Sequence, residues 1–480
     1  MSTRTNLLRL SKVGVIAAAA LLALAVALPR IAGQSTQPSH ASDALPSYVG
    51  GLEAWYFERG YTEAPPPAAR QSQWQTPPSP LSSLVSASAT LTPTAYLPMI
   101  ARNFPPNREF RGVWVSRFDW TGYHVTPTEA TIDTLVHNVA MAHFNAILFQ
   151  VRGIGDAFYT PGLEPWSARL TGEPTKTLGV NPGWDPLAHL ISQAHKSGIQ
   201  VHAYINVFPA WICQQGAPPD ATSPMHLFWT LSYSTAGDAW RIWTASGPQS
   251  YETCSDYLWA TPALSLTRDH VAAVATDLVT RYDVDGVHLD LVRYPSSNTS
   301  YDPFTRQAYT DALVLSPTLT FTQWQPVYQR AQISGFVSQV YSAITDQKPK
   351  VWLSAAVWPN YTSGYNSYFQ DSKGWLAAGI IDANMPMLYS SDIVNDLPAW
   401  IARMQGFVAD SYGRYVIPGI HADYPNFNDL VDRIEAARAA GASGVSIFSY
   451  GALNLHGYFD DLGSGPFAEP AEVPTPGWKP

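Results

Sequence analysis

Between residues 108 and 462, short β-rich runs alternate with helical patterns eight times over, and this repetition limits the possible folds more than any other feature of the chain. The β-rich runs lie at 112–116, 146–151, 200–206, 286–291, 351–357, 383–388, 415–420 and 444–449. Helical patterns lie between them at 129–142, 186–197, 268–282, 325–345, 373–378, 395–407 and 430–440. A strand that is followed by a helix and then by another strand is returned to the same end of the sheet, so the pattern predicts parallel strands covered by helices. Eight such units predict an α/β fold of the (β/α)8 TIM-barrel kind, in one domain over 108–462. The competing doubly wound sheet would place a Gly-x-Gly-x-x-Gly turn after its first strand, and the residues after 116 carry no such turn.

The flanks have a different composition. Arg4, Arg9 and Lys12 precede an uncharged, Ala- and Leu-rich run at 13–28, so residues 1–33 have the layout of an export signal. Ala25 and Ala27 offer a small-residue cleavage pattern; the alternative is an uncleaved membrane tether, although 16 residues are few for a full span. Residues 34–107 are rich in Pro, Ser, Thr, Ala and Gln and read as a linker, interrupted by apolar patches at 48–61 and 96–100. The segment 463–480, with Pro470, Pro474, Pro476 and Pro480, reads as a disordered tail. The expectation is an exported protein of the extracellular space or cell envelope, working as a monomer.

Composition excludes one class of partner. A net charge of −9 with no long Lys/Arg run lacks the phosphate-neutralising charge that nucleic-acid binding needs. The connection after the third strand, 207–262, is far longer than an ordinary strand-to-helix loop, and such insertions are usually functional or lid-like. It carries both cysteines, Cys213 and Cys254, which in an exported chain are expected to form a disulfide.

Strand alternation selects the side chains that enter the barrel. In 201–206 the apolar residues oppose His202, Tyr204 and Asn206; in 286–291 they oppose His288 and Asp290; in 147–152 they oppose Gln150 and Arg152; in 416–423 they oppose His421 and Asp423. Active sites of this fold lie where the strands end. The candidates are therefore Arg152, Asn206, Asp290 and Asp423, with Trp358, Asp392 and Tyr450 on adjoining turns. The bland reading is that Asp290 pairs with Arg152 or Arg293 in a buried ion pair and that His202 and His288 are packing residues.

At these strand ends the motifs Arg111-Gly112-Val113-Trp114-Val115, Phe149-Gln150-Val151-Arg152 with Gly155-Asp156-Ala157, Val201-His202-Ala203-Tyr204-Ile205-Asn206, and Asp285-Gly286-Val287-His288-Leu289-Asp290-Leu291-Val292-Arg293-Tyr294-Pro295 occur in order. Together they resemble the YngK-type glycosyl-hydrolase-like family, which is distinct from the family 10 xylanases. The resemblance implies a TIM barrel and, for one branch of the family, action on peptide-free peptidoglycan strands. Many members carry a second acid directly after the aspartate matching Asp290; here that position is Leu291.

Glycoside cleavage needs two carboxyl groups, one to protonate the leaving oxygen and one to act as nucleophile or activate water. Asp290 is the first. Asp423 ranks ahead of Asp392, Asp119 and Glu164 as its partner because alternation points it inward. Arg152, Tyr204, Asn206, His288 and Arg293 are expected to bind substrate polar groups, and Trp120, Trp166, Trp358 and Tyr389 to stack on sugar faces. No cofactor and no metal are expected. Two other readings remain at this point. One is a catalytically inactive sugar-binding barrel. The other is a metal-dependent amidohydrolase using His202, His288, His421, Asp290 and Asp423, although the first strand lacks the paired His-x-His of such sites.

Overall fold

The computed structural model describes residues 107–122, 124–173 and 176–480. The expected export segment at 1–33 and, except for residue 107, the linker with its two apolar patches lie outside the described residues. No helix among the described residues is long and apolar enough to cross a membrane.

Eight parallel strands form the barrel: β1 Phe110–Val115, β2 Ala146–Arg152, β3 Gln200–Asn206, β4 Gly286–Asp290, β5 Trp352–Val357, β6 Ala383–Pro386, β7 in two pieces, Tyr415–Val416 and Gly419–His421, and β8 Gly444–Phe448. Neighbours in the chain are neighbours in the sheet from β1 to β6, and β8 returns to pair with β1. The two pieces of β7 close the ring, the first pairing with β6 and the second with β8. The alternation predicts one unbroken strand at 415–420. Pro418 has no N–H to give to the ladder, and it interrupts that strand while its carbonyl still accepts from Ser446 N at 3.0 Å.

Outside the strands lie α1 Glu129–Met141, α2 Pro186–Lys196, α3 Ser265–Arg281, α4 Phe321–Gln347, α5 Ser372–Ala378, α6 Leu397–Ala409 and α7 Phe427–Ala439. Local chemistry fixes where several begin: Asp185 and Asp396 each accept a backbone N–H of the first turn, with a proline at the start of the helix. The sequence pattern misses the helix Pro303–Leu315 and the closing pair Tyr450–His456 and Tyr458–Ser464.

Strand periodicity sorts the core into two layers. Val113, Ile147, Val201, Val287, Leu353, Ile420 and Val445 face the helices, while Phe110, Trp114, Leu148, Tyr204, Trp352, Met385 and Phe448 fill the barrel. Gly286 serves this packing directly, because a side chain there would collide with the imidazole of His202. That ring sits against Phe110 at 5.4 Å and Trp352 at 5.8 Å, near the strand starts.

The segment expected to be a disordered tail is instead ordered, a correction to the compositional reading. Phe467 is fully buried, Glu472 pairs with Arg108, and Trp478 donates to Asp382 at 2.7 Å. Lys479 reaches the same carboxylate at 3.1 Å. Proline suits this extended strap, because a fixed φ lowers the entropy lost on docking. Beside the strap, at the strand-start end of the barrel, lies a hollow of about 670 Å3 lined by Asp283, Asp285, Lys348, Lys350, Lys479 and neighbouring residues.

Candidate active site

The site is at the opposite end, where the strands finish. Asp290 is the last residue of β4 and is 8% exposed. Its Oδ1 accepts from Leu291 N at 2.7 Å, and Leu291 holds a left-handed backbone with φ +53°. A non-glycine residue in that region stores strain, which here turns the chain sharply just after the acid. Burial raises the Asp290 carboxyl above its ordinary range; the charges of Arg293 and Arg117 and the Leu291 N–H oppose this without cancelling it. Losing the proton is therefore harder for this carboxyl than for an exposed aspartate, which is the direction a general acid needs.

Around Asp290 are polar groups with no partner among the described residues. The Tyr204 hydroxyl and Asn206 Oδ1, both on β3, and Gln150 Nε2, on β2, are buried and make no hydrogen bond. Burying such atoms without partners is costly, and those on β3 lie beside the acid, Asn206 pairing in register with Asp290. Burial and the nearby Asp290 charge also push the hydroxyls of Tyr204 and Tyr389 upward, so both remain neutral donors. Tyr389 lies 5.3 Å from the Phe448 ring and 6.2 Å from His421, joining the β4 acid to the ends of β7 and β8.

Arg293 supplies a buried cation beside this acid. It is 5% exposed, with its guanidinium 5.2 Å from the Trp358 ring, 5.3 Å from Tyr368 and 5.6 Å from Trp259. Trp358 and Tyr368 are stacked at 3.7 Å. The 207–262 insertion brings Trp259 to the site. Its strands Pro209–Ile212 and Tyr257–Trp259 pair antiparallel, and Cys213 is bonded to Cys254 with Cα atoms 5.4 Å apart. Trp211, Phe228, Leu231 and Trp240 give the insertion a small core of its own.

Several expected site residues have other duties. Arg152 is fully buried and grips Glu164 at 2.8 Å, its remaining edge bonding the carbonyls of Asn206 and Val207. It therefore has no free face for sugar, and this corrects its expected binding role. Burial alone would raise Glu164, but Arg152 and His270 bring it down to about 2, so it too is a structural anion rather than a second catalytic acid. Asp119 is bound by Ser116 N, Ser449 Oγ and Gly451 N at 2.6–3.0 Å, and Asp392 is half exposed in an ion pair with Arg403. Trp120 and Trp166 are core residues, Trp120 lying 5.1 Å from Phe149. His288 is fully buried with one ring nitrogen held to Ser354 Oγ at 2.8 Å and Nε2 without a partner among the described residues, and burial keeps its ring neutral. Asp423 follows β7 and accepts from His456 Nε2 at 2.7 Å. Among the described residues no group of three His, Cys, Asp or Glu side chains is arranged to hold a metal.

Sequence reasoning missed Arg117 and Tyr368. Arg117 is buried on a helical turn after β1 and donates to Tyr257 at 3.0 Å, and Tyr368 follows the short helix Tyr361–Ser367. Neither sits on a strand, so alternation could not select them.

A family model described as glycosyl hydrolase-like 10 matches residues 109–405. The chain belongs to this family. It is 26% identical over 313 residues to the glycosyl hydrolase YngK of Bacillus subtilis (strain 168), covering 60% of this chain and 56% of that protein, so it spans little more than half of YngK. It is 26% identical over 329 residues to the glycosyl hydrolase DigH of Escherichia coli (strain K12), covering 62% of this chain and 70% of that protein. Among solved structures, the PgaB (BpsB) glycoside hydrolase domain from Bordetella bronchiseptica superposes with a TM-score of 0.55 at 12% identity, over 74% of this chain and 98% of that one, a likeness of fold. The segment 285–295, within the matched range, runs through the mouth just described.

Proposed function

We propose that this protein is an exported glycoside hydrolase that cleaves envelope glycan, specifically peptidoglycan strands, as a monomer. The observation that carries the reading is Asp290: a strand-end carboxyl, buried and pushed toward its protonated form, beside unsatisfied polar groups and a stacked aromatic pair. In this reading Asp290 protonates the leaving glycosidic oxygen, Tyr204, Asn206 and Tyr389 bind sugar hydroxyls, and Trp358 with Tyr368 supports a pyranose face. Asp423 is the second carboxylate, oriented by His456 as nucleophile or as base toward water. The basic, apolar start of the chain supports export, and its tether or signal would deliver the barrel to the wall.

The test is release of soluble fragments from denuded peptidoglycan strands by the purified protein, with xylan and α-glucan in parallel. Fragments from the strands alone are expected. Fragments from xylan or α-glucan alone would replace the substrate while keeping the reaction. No fragments from any glycan, with retained binding, would make the barrel a sugar-binding protein.

A further inference from the structure

The Arg293 guanidinium is buried, yet it makes no hydrogen bond and no ion pair to any described residue. Its three neighbours Trp259, Trp358 and Tyr368 offer ring faces, which attract a cation but cannot accept its five N–H groups as an oxygen would. Asp290 is near enough to feel the charge but is not within ion-pair contact. An enclosed cation of this kind is costly unless an anion completes it. The contrast within the same mouth is Arg152, whose fork is filled by Glu164. The Arg293 fork has no such acid bonded to it, and it lies beside the stacked rings of Trp358 and Tyr368.

We infer that Arg293 is the specificity residue of a subsite for an acidic sugar, binding the carboxylate of a carboxyl-bearing hexose unit while Trp358 and Tyr368 hold the ring. This rests on the glycan-hydrolase reading of the site. Arginine suits the task because its planar fork matches a carboxylate in two parallel hydrogen bonds. The carboxylate could come from a 3-O-lactyl group, as on denuded peptidoglycan, or from a uronic acid; the recognition chemistry is the same.

The experiment uses the full chain as Asp290→Asn, which holds substrate without turning it over, and titrates it with three probes. These are a lactyl-bearing peptidoglycan disaccharide, its lactyl amide, and a uronate-containing disaccharide. The carboxylate is expected to bind roughly ten- to a hundredfold more tightly than the amide, the range of one charged hydrogen-bonded contact. Adding Arg293→Met should abolish that ratio, and Arg293→Lys should restore part of it. In turnover by the otherwise native enzyme, amidation of the strands should raise KM with kcat little changed. Equal binding of acid and amide without any Arg293 change overturns the inference, and that comparison needs no variant of Arg293 to fold. A preference that survives Arg293→Met overturns it as well. If only the uronate shows the Arg293-dependent preference, the subsite stands and the peptidoglycan assignment falls. If strands are cleaved with no discrimination, the hydrolase stands and the subsite falls.

Discussion

Buried charge is completed at the floor of the barrel but only in part at its mouth. At the strand starts, Asp382 is fully buried and is met by Leu353 N, Trp478, Lys479 and Arg414 at 2.7–3.2 Å. Glu109 is held there by Arg111 and Arg438, each at 2.7 Å. At the strand ends, Asp290 has one hydrogen bond, from the next residue along the chain, and Arg293 has none to a described residue. A charge that is surrounded by complementary donors holds the fold together. A charge that is buried and left incomplete destabilises the free protein, and it persists where a ligand finishes the contact. The difference separates a stabilising floor from a working mouth.

That separation can be broken first at the floor. Asp382→Ala removes the anion shared by Arg414 and Lys479 and should lower stability by about 3–5 kcal/mol, read by denaturant unfolding, while activity per folded molecule is retained. A small loss would mean that the strap of residues 470–480 docks without this carboxylate. Reduction of the Cys213–Cys254 bond should remove up to about 4 kcal/mol on the entropic account, with its 41-residue separation. The loss should concentrate in the insertion, seen as faster proteolysis of 207–262 than of the barrel. Uniform melting of the whole domain would show that the insertion is integral to the core.

Glu164 sharpens the comparison within the mouth itself. Its carboxyl is depressed from the ordinary 4.5 to about 2, against the opposing push of burial, because Arg152 and His270 prefer the anion. A depressed acid stabilises the fold above its unfolded value and loses that contribution as pH falls through the folded value. About 3 kcal/mol should therefore disappear between roughly pH 4.5 and 2. In Glu164→Gln the protein should be less stable at neutral pH, with a shallower decline over that window. An unchanged slope would remove Glu164 from the structural side of the contrast.

Much of the barrel was legible because β-rich runs alternate with helical patterns along the chain, and within β2, β3 and β4 apolar alternation of period two placed Tyr204, Asn206 and Asp290 inside. It failed where other physics took over. Pro418 splits β7 by lacking a donor, and residues 463–480 dock through Phe467, Trp478 and Lys479 despite a composition that suggests disorder. Alternation also aims Arg152 toward the interior mouth, but facing direction does not reveal that Glu164, twelve residues on, occupies its fork. The aromatic wall of Trp259, Trp358 and Tyr368 was invisible as a unit, because its members come from the insertion, the end of β5 and the residue after a short helix.

Asp290→Asn tests the central claim most directly, with turnover of denuded strands and the thermal midpoint measured on the same preparation. Loss of the exchangeable proton should lower the rate by at least about a hundredfold. The midpoint should hold or rise, since a poorly satisfied buried acid is being replaced by a neutral group of the same shape. A variant that melts early would make Asp290 a structural partner of the mouth cations, and a variant that stays stable and active would remove it from the chemistry.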